Sequence, residues 1–138
     1  MIRFRMVKIN VLQFAILSEN CEKSYKIETR SEFRNSIDGR FVESTATFVF
    51  IGKEEKAMIL KIKCEFEIFP ADLANITQDG KVVIPKDTLE HFLVHTVGTA
   101  RGILHCKTEG TPFNVVILPP LDVTKLVPSD LITELPKE

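Results

Sequence analysis

His91 and His95, four residues apart, come nearest to a chemical site in this sequence. In a helix that spacing puts both imidazoles on one face, as zinc-binding helices do. A metalloprotease helix would carry glutamate directly after the first histidine, and Phe92 stands there instead. His105 and Cys106 are the other ligand types nearby, but they lie turns further along the same helix, out of reach of one ion. No metal centre is therefore expected. The three cysteines, Cys21, Cys64 and Cys106, are odd in number and show no Cys-x-x-Cys spacing. They read as reduced thiols of a cytoplasmic protein. Cys106 adjoins His105, but neighbouring helical side chains point in different directions, so the two make no nucleophile and base. Gly80 and Gly110 read as turn or cap glycines without a phosphate loop around them. The chain is expected to be no enzyme and to use no cofactor.

Apolar side chains remain as the other candidates. One run ends in Phe66-Glu67-Ile68-Phe69, and a second reads Phe113, Val115, Val116, Ile117, Leu118 and Leu121. One sheet with one helix does not easily cover both. Either a second subunit covers them or they line a groove for extended peptide, and both can hold. The expected client groove is Phe66, Ile68, Phe69, Phe113, Val115, Ile117 and Leu121.

The elements that must carry these residues follow from periodicity. The first half of the chain alternates with period two. Residues 2–17 run Ile2, Phe4, Met6, then Val7, Ile9, Val11, then Leu12, Phe14, Ile16, and the phase slips twice, which in one strand means bulges or strong coiling. Arg3, Arg5 and Lys8 ahead of an apolar run also fit a secretory leader, but Asn10 and Gln13 interrupt it and no cleavage site follows, so a strand is expected. Residues 25–34 set Tyr25, Ile27, Thr29 and Phe33 against a charged row, and 41–51 place Ala46, Phe48 and Phe50 in one phase. Residues 57–69 set Met58, Leu60, Ile62, Cys64, Phe66 and Ile68 against Lys61, Lys63, Glu65 and Glu67. The short link at 52–55 predicts a hairpin between strands three and four. These four strands predict an antiparallel sheet with one apolar and one wet face. Its charged rows read as solvated, with cross-strand pairs.

Past Pro70 the period changes. Pro85 opens a helix in which Leu89, Phe92, Leu93, Thr96, Val97, Ala100, Ile103 and Leu104 recur at helical spacing, and Gly110 ends it. The other side carries His91, His95, Gly98, Gly102 and Cys106. Glycine costs roughly 1 kcal/mol against alanine inside a helix, so Gly98 and Gly102 call for close approach of another backbone. His95, Gly98, Gly102 and Cys106 are the expected oligomer interface. Strands followed by a helix make an α+β domain, expected over 1–128, with 129–138 as a short C-terminal tail.

Composition closes off other classes. At 44% hydrophobic and 27% charged residues the chain is neither disordered nor membranous. The net charge is −1 with both signs interleaved, so no basic stripe awaits nucleic acid. No stretch reaches the ~20 apolar residues that span a bilayer.

Several of these residues also stand in a recognisable order. The strand end Ile68-Phe69 resembles the Gly-Ile-Phe end of the fourth strand in SecB export chaperones. Ala100-Arg101, then Gly110, Pro112 and Leu118-x-Pro120-Leu121-Asp122, resemble the family's Ala-Arg-Glu, Gly-x-Phe-Pro and Leu-x-Pro-Ile-Asn-Phe run. The chain departs from the pattern at Val97-Gly98-Thr99, where the family has Phe-Pro-Tyr, and at Val123, where it has an aromatic. The resemblance implies a four-stranded antiparallel sheet, one long helix and a short C-terminal helix. It also implies a dimer-of-dimers homotetramer and ATP-independent binding of unfolded or partly folded polypeptide, in export or beside a toxin–antitoxin pair. A SecA-type motor is the further partner it suggests, and the missing long acidic tail argues against that partner. The alternatives are a metal- or small-ligand-binding domain on His91 and His95, and a structural oligomerisation module.

Overall fold

The computed structural model describes residues 2–137. Alternation in the first half of the chain gives four long strands, β1 (Phe4–Ile16), β2 (Lys26–Asn35), β3 (Phe41–Ile51) and β4 (Lys56–Ile68). They form one antiparallel sheet in the order β1-β4-β3-β2, so the connection 17–25 carries the chain from one edge to the other. β3 and β4 are the predicted hairpin. Their register pairs Val42 with Phe66, Ser44 with Cys64, Ala46 with Ile62, Phe48 with Leu60 and Phe50 with Met58, all buried on one face. Because the side-chain period is two, Thr45, Thr47, Lys61 and Lys63 fall on the other face. The two phase slips of the first strand are real: β1 shifts register against β4 between Met6 and Lys8 and again between Val11 and Gln13.

Four short helical and strand elements follow that the alternation did not announce. They are α1 (Pro70–Asn75) and a small sheet of β5 (Thr77–Gln78), β6 (Lys81–Ile84) and β7 (Leu131–Glu134), in the order β5-β6-β7. Val82 and Ile84 of β6 are buried. The β2–β3 turn packs there: Gly39 has φ +80°, and a Cβ on it would stand 2.5 Å from Val82 Cγ2. Glycine answers both demands.

The long helix α2 (Lys86–Lys107) lies across β3 and β4. Its buried side chains Leu89, Phe92, Leu93, Thr96, Val97, Ala100 and Leu104 are the predicted apolar stripe, whereas Ile103 is only partly buried. Phe92 stacks on Phe66 at 4.7 Å and meets Phe4 edge-on at 4.7 Å. The helix ends at Lys107, earlier than Gly110, which sits in the next turn at φ +78°. Pro85 has no side chain able to cap the first turn. The backbone N–H of Lys86 donates instead to the Asp130 carboxylate at 2.7 Å.

The C-terminal third departs most from expectation. Pro112–Val115 form a 3-10 turn, with Thr111 Oγ1 accepting from the Phe113 N–H. The short C-terminal helix is a single 3-10 turn, Val123–Lys125, followed by β7. Residues 131–134, expected in the tail, are therefore paired into the small sheet, with Leu131 opposite Ile84. The architecture is α+β, a four-stranded antiparallel sheet with one long helix and a few short helical turns. Among the described residues no helix is long and apolar enough to cross a membrane.

Candidate functional site

An open trough of about 360 Å³ runs between the start of β2 and the segment that follows α2. Tyr25, Ile27 and Phe50 line it from the sheet, Val115, Val116 and Ile117 from the segment, and Glu22 and Lys23 add polar lining. Aromatic stacking builds the sheet side: Tyr25 lies over buried Phe113 at 6.3 Å and meets Phe50 edge-on at 6.5 Å. The Glu22 backbone N–H donates to the Tyr25 hydroxyl at 2.7 Å, and partial burial raises the phenol above its usual value. Glu22 in turn accepts from the Lys53 backbone N–H at 3.2 Å, which ties this crossover to the β3–β4 turn.

The other wall is held from α2. Arg101 Nε donates to the Leu118 carbonyl at 2.7 Å and its Nη2 to the Pro119 carbonyl at 3.2 Å. Asn114 Nδ2 donates to the His105 carbonyl at 2.9 Å. With the backbone pinned, Leu118 and Val116 turn inwards, and Val115 and Ile117 are left 78% and 65% exposed.

The structure divides the expected groove. Phe66, Ile68 and Phe113 are buried under α2 and the segment after it, at 1%, 0% and 1% exposure, so they hold the fold together and present nothing to a client. The sequence places Phe66 and Ile68 on the apolar phase of β4, and a helix covers that whole phase. Leu121 is half-buried against the core. Phe69 is exposed, with the Arg3 guanidinium 5.3 Å over its ring. Phe69 follows the Ile68 end of β4, whereas the trough adjoins the Met58 end, ten residues or roughly 33 Å away. Phe69 and the Val115–Ile117 pair are thus two surfaces and do not share one groove. Sequence reasoning missed Tyr25, Ile27, Phe50 and Arg101. Tyr25 is the chain's one tyrosine and directly precedes β2, a signal that was available. Arg101's role depends on carbonyls 17 and 18 residues away.

On the outward side of α2, His91, His95, Gly98, Gly102 and Cys106 are all exposed. His91 lines a small recess with Ile2, Phe4, Asp87 and Thr88, and His95 packs edge-on to Phe4 at 5.7 Å. Among the described residues no three His, Cys, Asp or Glu side chains come together as metal ligands would. A Cβ built on Gly98 or Gly102 would meet nothing within 4 Å, so no backbone among the described residues makes the close approach the glycines called for. Cys64 is buried, which pushes its thiol up and leaves it unreactive.

No family model matches the chain, and no curated protein does. Among solved structures, the crystal structure of a protein of unknown function from Streptococcus agalactiae is similar over 86% of this chain and 98% of that one, at 12% identity and a TM-score of 0.45.

Proposed function

We propose that the protein is a cytoplasmic, ATP-independent chaperone that holds unfolded or partly folded polypeptide on open apolar surface, as the SecB export chaperones do. The observation that carries this reading is the trough beside Val115 and Ile117. Its apolar wall is fixed by Arg101 and stands open to solvent. A holder without nucleotide must release its client by dissociation alone, so many modest contacts suit it better than one deep pocket. Phe69, at the far end of the sheet, offers a second, separate contact to a long client. Spanning both adds avidity without any new strong site.

Fluorescence anisotropy of a labelled, permanently unfolded peptide tests this reading. Fully burying one aliphatic side chain contributes about 1.5 kcal/mol or more. The Val115→Asp, Ile117→Asp double variant should therefore weaken binding roughly a hundredfold. Both side chains are exposed, so the variant should keep its circular dichroism spectrum and unfolding midpoint. Unchanged affinity in a folded double variant removes the trough from the account.

A further inference from the structure

Asp79 and Gly80 form the two-residue loop of the β5–β6 hairpin, between the paired residues Gln78 and Lys81. Asp79 has φ +52° and Gly80 φ +74°, the signs of a type I′ turn, and among the described residues no other non-glycine has positive φ. Both residues are exposed, and the loop borders an open groove of about 650 Å³ with Glu134, Leu135 and Pro136. A Cβ on Gly80 would meet nothing within 4 Å. Among the described residues the Gly80 N–H has no backbone acceptor, and no hydrogen bond or ion pair engages the Asp79 carboxylate.

We propose that Asp79 is a site of self-modification, where the chain rearranges to isoaspartate through a succinimide closed by the Gly80 nitrogen. That nitrogen attacks Asp79 Cγ. A C–N bond forms, and the amide proton and the carboxyl hydroxyl leave together as water. Water then opens the ring at either carbonyl. Attack at Cγ restores aspartate, whereas attack at the main-chain carbonyl breaks its bond to the Gly80 nitrogen and leaves the chain running through Cγ. Nothing but water is lost or gained, and neither the trough nor a client takes part.

The turn already holds much of the geometry this step needs. Ring closure eclipses Cβ with the Gly80 nitrogen, which in an L residue sets ψ at about −120°; with φ at about +60° that is the first corner of a type II′ turn. Asp79 has that φ, so only the peptide plane between Asp79 and Gly80 must turn over. Types I′ and II′ both suit the twist of a hairpin, and Gly80 follows the plane because glycine accepts either sign of φ. The Leu135 N–H donates to the Gly80 carbonyl at 2.8 Å, on the next plane, and that bond survives.

The chain's other Asp-Gly pair, Asp38-Gly39, is built against the same reaction. The Asp38 carboxylate accepts from Ser36 Oγ at 2.7 Å and from the Arg40 N–H at 3.1 Å, and the Ser36 bond leads in holding it below the usual aspartate range. The Gly39 N–H donates to the Ser36 carbonyl at 2.9 Å, and Gly39 is buried against Val82. Carboxylate and attacking nitrogen are both engaged there.

Peptide mapping of the unaltered protein, held for weeks at physiological temperature and mildly acidic pH, compares the two sites. Asp-N protease cuts before aspartate and not before isoaspartate, and the succinimide is lighter by one water. In the folded protein, resistance to cutting before residue 79 should build up several-fold faster than before residue 38. In denaturant both are bare Asp-Gly pairs followed by a basic residue, Lys81 or Arg40, and the two rates should converge. No isoaspartate at 79 in the folded protein, equal yields at the two sites there, or the same excess at 79 in denaturant as in the fold overturns the proposal.

Discussion

Glu67 lies on the polar phase of β4 and yet is only 6% exposed, because arginines from two other parts of the chain close over it. Arg5 Nε donates to its carboxylate at 2.8 Å, and the Arg40 guanidinium pairs with the second oxygen. The hydrogen bond from Arg5 leads in holding the Glu67 carboxyl below the usual glutamate range. A carboxyl depressed in the folded state contributes stability that is fully present above the unfolded pKa, about 4.3, and drains away as pH falls through the lower folded value. Denaturant midpoints measured from pH 6 down to 3 should therefore fall. Glu67→Gln should be less stable at pH 6, with a shallower fall below pH 4.5; a parallel curve would show that Glu67 takes no part. Residues of this kind divide by legibility. Cys64 was readable as a buried small hydrophobe because strand alternation alone puts it on the apolar face. Glu67 was not, since its burial depends on Arg5 and Arg40, which neighbour it in space and not in sequence.

At the scale of elements, the long periodic segments were legible and the short ones were not. β1 announced its bulges through two phase slips, and α2 announced its buried stripe through helical spacing. β5, β6 and β7 are two to four residues long, too short for any period to show. β7 and the residue before it also do a job no local signal reveals, since Asp130 supplies the cap that Pro85 cannot. An acceptor at a helix start typically contributes about 1 kcal/mol when removed by alanine, and its negative charge suits the helix dipole. Asp130→Ala should lower unfolding stability by about that amount and speed amide exchange in the first turn of α2. An unaltered midpoint together with unaltered exchange there would mean that the first turn holds itself. The trough wall has the same character. Alternation from Val115 to Leu118 shows which side chains are apolar, but only Arg101, reaching back from α2, determines which of them face outwards.

For the whole molecule, the division of the expected groove is the main lesson. Phe66, Ile68, Phe113 and Val115 all read as spare apolar residues, because the sequence alone does not say how much of the sheet one helix of 22 residues covers. It covers the first three and leaves Val115, Ile117 and, at the opposite end, Phe69 in solvent. A client spanning both ends meets several weak contacts in place of one strong one. Assembly through the open Gly98–Gly102 face of α2 would multiply those contacts within one particle. Holding of unfolded chains is thus the claim on which the functional account stands. The most direct measurement is the light scattered by a slowly folding protein diluted from denaturant, with this protein present at stoichiometric concentration and a natively folded client as control. The account predicts that aggregation is suppressed without nucleotide, that the Val115→Asp, Ile117→Asp variant suppresses it much less, and that the folded control is not bound. Aggregation that proceeds unchanged at stoichiometric and higher ratios would contradict it.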